Sequence, residues 1–230
     1  MDRESVLREM GFVRLEGGPV RMGTETPLPC RLEGYRHNET PVFGSVTGPF
    51  WMARTCVSNI EYERHDRRYP RLPIAPHDRH PAVNVTYLNA LDYCRKLSER
   101  VGLPLTLPTE AQWVFAAAPS GTEFPWGNRP DRRKALTRGF GTVGPATVDS
   151  DDRYLNRCGL FHICGNVSQF TLGDYDAPGH GGFLTDGRYC VVRGGNWALC
   201  PWSAGVHRRG IVDVAARMPT VGFRLVCNGW

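Results

Sequence analysis

The change in residue pattern near Pro119 constrains the fold of this chain more than any other feature. Three segments before it carry helix-start signals, whereas glycine and proline are frequent after it and helical periodicity is lost. The clearest predicted strands in this second part are 189–193 and 221–226, each bounded by polar or glycine-containing stretches. We therefore expect a few helices, short strands and much irregular backbone, which buried aromatic side chains must hold in place.

The three predicted helices begin with capping boxes, in which two side chains satisfy free backbone N–H groups of the first turn. The cap residues are Ser58, Thr86 and Thr109. The second helix carries apolar residues at i, i+4, i+7 and i+11, which form one stripe, and Gly102 stops it. The six tryptophans are predicted to lie mostly in the core.

Length and composition predict one globular domain over residues 1–230, with 41% hydrophobic and 22% charged residues. The charged start is followed by no apolar segment, and no stretch approaches the roughly 18 apolar residues of a membrane span. We therefore expect a cytoplasmic location and no membrane contact. The net charge of +5 comes from mixed signs without a nucleic-acid motif, so no nucleic-acid partner is expected.

The eight cysteines are scattered and form no C-x-x-C pair, which argues against a zinc ribbon or a thioredoxin-like site. Most are expected to be buried thiols that pack as small apolar groups. Cys158 and Cys164 are close enough in sequence to close a short loop if they were oxidised.

A series of short strings follows in order between Gly18 and Cys227. They are Val20–Gly23, Val57–Tyr62, His80–Tyr87, Leu107–Trp113, Pro125–Asn128, Gly159–Leu160, Gly165–Val167, Arg193–Trp197 and Gly222–Arg224. In this order they resemble the landmarks of the formylglycine-generating-enzyme, or sulfatase-modifying-factor, family. The resemblance covers nearly the whole chain. It implies an α+β fold of the C-type-lectin-like kind, with much irregular structure and a pocket formed by C-terminal loops.

The copper oxidases of this family carry two cysteines after a Gly-Gly-Ser string, because two thiolates are needed to hold Cu(I). Here Cys200 stands near the first position, while Ala204 or Gly205 occupies the second and Asn196 replaces the serine. One thiolate cannot build such a site, so we do not expect formylglycine formation.

Other metal sites of the family are also altered. Gln169 stands where the resemblance implies a calcium-binding carboxylate, and it removes the charge that a hard cation prefers. His77 and His80 could be a metal pair, but His80 lies in a landmark where a structural role is expected. A metal-dependent oxidoreductase remains an alternative, with iron or copper at a non-standard site and Cys200 and His207 as catalytic residues. Its ligands would be His162, Cys164, Cys200 and His207.

A second set of relatives, the variable proteins of diversity-generating retroelements, displays a ligand-binding surface on the segment that corresponds to 193–226. Both ends of that segment match here. We therefore interpret the chain as a module that binds a small molecule or protein through its C-terminal loops. The predicted site residues are Asn196, Trp197, Trp202, His207, Arg208, Arg209 and Asp213. Two other interpretations stay open: that these residues are ordinary loop and core, and that the chain is a regulatory paralogue that associates with an enzyme or kinase.

Overall fold

The computed structural model describes residues 2–25, 39, 41–118, 121–138, 143–174 and 187–229. Its helices are α1 Arg3–Glu9, α2 Asn59–Glu63, α3 Tyr87–Val101 and α4 Glu110–Ala117. Its strands are β1 Phe12–Leu15, β2 Gly18–Met22, β3 Phe43–Thr47, β4 Phe50–Ala53, β5 Leu105–Thr106, β6 Ser168–Asp174, β7 Tyr189–Arg193, β8 Gly210–Asp213, β9 Val221–Gly222 and β10 Val226–Asn228. Short 3₁₀ helices cover Asp152–Tyr154 and Pro201–Ala204.

The predicted helix starts are confirmed, because each follows from contacts within one turn. The Thr86 hydroxyl accepts a hydrogen bond from the Asn89 N–H at 3.0 Å, and the Asn89 amide oxygen accepts from the Thr86 N–H at 3.2 Å. Thr109 caps α4 in the same way, and at the start of α2 both the N–H and the hydroxyl of Ser58 donate to the Glu61 carboxylate. Gly102 ends α3 with φ at 67°, the left-handed conformation that glycine adopts without strain.

The strands form two four-stranded sheets and a two-stranded ribbon within the described residues. One sheet has the order β1-β4-β10-β5, the other has the order β8-β7-β6-β9, and β2 pairs with β3 alone. The β2–β3 ribbon is antiparallel, with Val20 opposite Ser45 and Met22 opposite Phe43. Helix α4 contacts this ribbon and also β6 and β7, so it joins the ribbon to the second sheet.

The predicted strand 189–193 is confirmed, whereas the predicted strand 221–226 is wrong as a single element. β9 pairs with β6 in one sheet, and β10 pairs with β4 and β5 in the other. The chain crosses between the sheets at Arg224, whose buried guanidinium donates to the carbonyl oxygens of Arg54 and Phe161. These tertiary hydrogen bonds hold the crossing, and no local pattern reveals them.

Two large apolar clusters fill the interior. One contains an aromatic group in which Tyr62 stacks on Tyr93 with centroids 5.6 Å apart and both rings meet Phe223 edge-on. The other surrounds Trp113 and Phe124. The prediction that tryptophans lie in the core is confirmed for the fully buried Trp51 and Trp113. Trp126, Trp197 and Trp202 are half-buried, and Trp230 lies outside the described residues.

The cysteines largely follow the expectation of buried thiols. The thiols of Cys56, Cys94, Cys164 and Cys227 are buried and form no disulfide. Cys190 is also a buried thiol, and it donates to the carbonyl oxygen of Val212 at 3.4 Å. Cys158 is free and half-buried, so it is not bonded to Cys164. Cys200, in contrast, is disulfide-bonded. Among the described residues, no helix has both the length and the apolar character needed to span a membrane.

Candidate functional site

The site begins at the end of β7, where Arg193 is followed by two glycines with positive φ. These angles are 95° at Gly194 and 64° at Gly195. A Cβ atom at Gly195 would lie 2.5 Å from the carbonyl oxygen of Ser203, so a larger residue cannot take its place without moving the backbone. This turn therefore requires the two glycines.

The guanidinium of Arg193 is buried and connects three parts of the fold. Its Nη1 donates to the carbonyl oxygens of Val206 and Arg208 at 3.1 and 3.4 Å. Its Nε and Nη2 donate to the carboxylate of Glu110, the first residue of α4. Because the two carbonyls flank residue 207, Arg193 holds the backbone on both sides of His207 against α4.

Glu110 also accepts hydrogen bonds from Arg209, at 2.8 Å from Nε and 2.6 Å from Nη2. Burial by itself would raise the pKa of the Glu110 carboxyl, but the charges of Arg193 and Arg209 together hold that pKa below its ordinary value. The carboxylate is therefore ionised at neutral pH and compensates two buried cations.

His207 is 2% exposed, and neither of its ring nitrogens has a hydrogen-bond partner among the described residues. Burial, together with the charges of Arg193 and Arg21, lowers the pKa of His207 to about 4. The imidazole is therefore neutral at pH 7 and offers one N–H donor and one acceptor. Leaving a buried polar group unpartnered costs about 1–3 kcal/mol, and such groups in native proteins call for an explanation.

The unpartnered imidazole lines a cavity of about 510 Å³ between the β2–β3 ribbon and α4, which we call the His207 cavity. Its apolar walls are formed by Val20, Val42, Phe43, Val114, Phe115 and Ala118. Arg21 and Ser45 add polar atoms to the lining. A cavity of this volume, with apolar walls and few polar groups, is typical of a small-ligand site.

A second cavity, of about 540 Å³, is lined by charged side chains of both signs and by Cys56. The Sγ of Cys56 already accepts from Arg224 at 3.8 Å. Among the residues that the structure describes, no buried polar atom without a partner lines this second cavity. The His207 cavity is therefore the better candidate site.

Most of the predicted binding residues are placed elsewhere. Arg209 binds Glu110, and Arg208 binds the buried Glu39 at 2.6 Å. The side chain of Asn196 donates to Ser168 at 3.0 Å, and Asp213, at the end of β8, accepts from the N–H of Ala215. The half-buried Trp202 and Trp197 do not line the His207 cavity within the described residues: the Trp202 ring is 6.2 Å from that of Phe124, and the Trp197 N–H is buried.

The four residues of the alternative metal site are not brought together. Among the described residues, no three His, Cys, Asp or Glu side chains lie close enough to hold a metal ion. The His162 ring stacks on Tyr154, with its Nε2 3.0 Å from the Ser150 hydroxyl. Cys164 is buried in a core cluster, and the disulfide at Cys200 removes the thiolate that Cu(I) requires. These residues do not fit the copper site of the oxidases.

Gln169 is fully used within the protein, so it does not fit a calcium site either. Its amide oxygen accepts from the Trp113 N–H at 3.0 Å and from Arg224 at 2.7 Å. Its amide nitrogen donates to the carbonyl oxygens of His162 and Ile163 at 3.0 and 3.1 Å. An N–H donor thus faces the two carbonyl oxygens that a cation would otherwise approach.

The sequence analysis missed the walls of the His207 cavity. They come from residues 19–21 and 42–45 and from residues 114, 115, 118 and 121, and from the C-terminal segment only His207 contributes within the described residues. The sequence signal here is the apolar pair Val20 and Met22 on either side of Arg21, which is typical of a strand with one buried face, and the structure buries both. It could not show that part of this face borders a cavity.

The sequence matches the family described as "Sulfatase-modifying factor enzyme 1-like domain" over residues 1–229. A serine/threonine-protein kinase, pkn1, from Chlamydia pneumoniae is 27% identical over 98% of this chain and 39% of its own length. An inactive C-alpha-formylglycine-generating enzyme 2 from Bos taurus is 28% identical over 63% of this chain and 49% of its own length. The chain therefore spans less than half the length of these two curated relatives.

Two solved structures share the fold. PvdO from Pseudomonas aeruginosa superposes with a TM-score of 0.77 at 23% identity, covering 95% of this chain and 94% of that one. Variable protein 1 of Treponema denticola superposes with a TM-score of 0.76 at 19% identity, covering 95% of both chains. The predicted α+β, C-type-lectin-like fold is confirmed. Together with the match over residues 1–229, this shows that the chain belongs to the sulfatase-modifying-factor, or formylglycine-generating-enzyme, family.

Proposed function

We propose that this chain is a ligand-binding module on the formylglycine-generating-enzyme scaffold, and that a small molecule binds in the His207 cavity. The observation that carries this proposal is the buried imidazole of His207, which lines an apolar cavity and has neither nitrogen partnered by a residue that the structure describes. A ligand that hydrogen-bonds to this ring would remove the cost of an unsatisfied buried group, and its apolar part would be shielded from water by the walls.

The architecture around His207 supports a binding role because the ring is held in place. Arg193 fixes the carbonyl oxygens on both sides of it, and Glu110 fixes Arg193. A rigid polar group in a preformed cavity binds with a smaller entropic cost than a mobile one. The relative named as an inactive formylglycine-generating enzyme also supports the proposal, because its name indicates that this scaffold occurs without formylglycine formation.

The test is a small-molecule screen by NMR on the full chain, with the His207 ring labelled with ¹⁵N. We expect compounds that shift the His207 ring resonances and raise the melting temperature in proportion to occupancy. These effects should be lost in His207→Phe, which removes both nitrogens at similar volume. His77→Phe is the matched control, because His77 is exposed and does not line the cavity.

Ser45→Leu provides a second variant should His207→Phe fail to fold. Ser45 lies on β3, lines the cavity and is half-buried. A leucine there would fill part of the His207 cavity and should weaken ligand binding. Compounds that bind equally well to all variants would contradict the proposal. Stoichiometric iron or copper that is lost in His207→Phe would instead favour the metal-dependent oxidoreductase.

A further inference from the structure

We infer that the His207 cavity selects a small apolar carboxylate: a molecule with a compact hydrocarbon or aromatic body and one anionic carboxyl group. This inference rests on the proposed function and names the chemical class of the ligand. It follows from the walls of the cavity, from the donor that His207 offers, and from the sign of the charges around that donor.

The walls define the body of the ligand. Val20, Phe43, Val114 and Phe115 present aliphatic and aromatic carbon to the cavity. Phe43 is 40% exposed, so apolar surface continues from the interior toward solvent. Methylene groups that move from water onto such walls bind favourably through the hydrophobic effect. A polar body, such as a sugar, would lose its hydration here without matching hydrogen bonds.

The charges around His207 define the polar end of the ligand. The charges of Arg193 and Arg21 both help to lower the pKa of His207, and Arg21 itself lines the cavity. Glu110 compensates Arg193, whereas the ion pair that Arg21 makes within the described residues is with the exposed Glu25, 3.7 Å away. The cavity therefore combines a buried N–H donor with a cation at its lining. A carboxylate accepts from the first and is attracted by the second.

A primary amide is the sharpest competitor. It offers an acceptor and a donor to the neutral imidazole but carries no charge, so the ratio of the two affinities isolates the effect of the cations. A hydrogen bond to a charged group contributes more than one between neutral groups. We expect 4-phenylbutyrate to bind at least about 10-fold more tightly than 4-phenylbutanamide. 4-Phenylbutylamine, with the opposite charge, should bind more weakly than either.

The experiment is calorimetric titration of the full chain and of Arg21→Gln with the acid and the amide, at low and high salt. Arg21→Gln should weaken the acid by about 2- to 5-fold, leave the amide unchanged and reduce the salt dependence. Arg14→Gln is the matched control: its side chain is 42% exposed against 44% for Arg21, and it lies outside the cavity lining. It should change neither affinity.

The outcomes distinguish the carboxylate proposal from the ligand-binding proposal. An amide that binds as tightly as the acid, or an Arg21→Gln effect of equal size on both, would overturn the carboxylate while leaving the ligand-binding function in place. Failure of all three probes to bind, while other compounds shift His207 in the screen, would have the same consequence. If no compound of either set shifts His207, both proposals fail.

Discussion

Replacing Glu110 by glutamine should be among the most destabilising single changes in this protein. Glu110 accepts hydrogen bonds from two buried guanidinium groups, those of Arg193 and Arg209. Glutamine has nearly the same shape, but it removes the negative charge and turns an N–H₂ group toward one cation. Breaking a buried ion pair by removing one partner costs about 3–5 kcal/mol, because the other charge is left uncompensated.

The assay is equilibrium unfolding in urea at pH 7, with the free energy of unfolding taken from linear extrapolation. Glu99→Gln is the control, because Glu99 pairs with Arg95 on the exposed face of α3 with both side chains more than half exposed. That change should cost at most about 0.5 kcal/mol. If Glu110→Gln lost no more than Glu99→Gln, the reasoning that Glu110 compensates two buried cations would be refuted.

Three further predictions concern buried polar groups and the turn after β7. Burial lowers the pKa of His162 to about 3 and that of His207 to about 4, so each binds fewer protons when folded than when unfolded. The free energy of unfolding should therefore be highest at pH values above the pKa of unfolded histidine, near 6.5, and should fall by about 2 kcal/mol per histidine between pH 7.5 and 5. A urea midpoint that stays constant over this pH range would contradict the prediction. Gln169→Glu should lower the melting temperature, since a carboxylate oxygen then faces two carbonyl oxygens. Millimolar Ca²⁺ should raise the melting temperature of this variant but not that of the wild type. Gly195→Ala should cost about 2 kcal/mol or more of unfolding free energy, because residue 195 has positive φ and its Cβ would lie 2.5 Å from a backbone carbonyl oxygen. Gly48→Ala, with open space around the new Cβ, should cost less than about 1 kcal/mol in the same urea assay.

The sequence determined the features that depend on neighbours within a few positions. The caps at Thr86 and Thr109 and the stop at Gly102 are made by residues within one helical turn, so their pattern was sufficient. The Arg-Gly-Gly string is one of the family landmarks, and in the structure both of its glycines have positive φ. Because several such strings kept a fixed order, they also identified the family and therefore the fold.

Only the tertiary structure decided which side chains of the C-terminal segment are free to bind. Arg208 and Arg209 lie in the segment that the resemblance to the variable proteins assigns to a binding surface. Their carboxylate partners, Glu39 and Glu110, are 169 and 99 positions away, and these pairs bury both cations. His207, between Val206 and Arg208, has no such partner in the part of the chain that the structure describes. Burial and charge compensation are set by residues distant in the chain, and for that reason local pattern could name the segment but not the residue that faces the cavity.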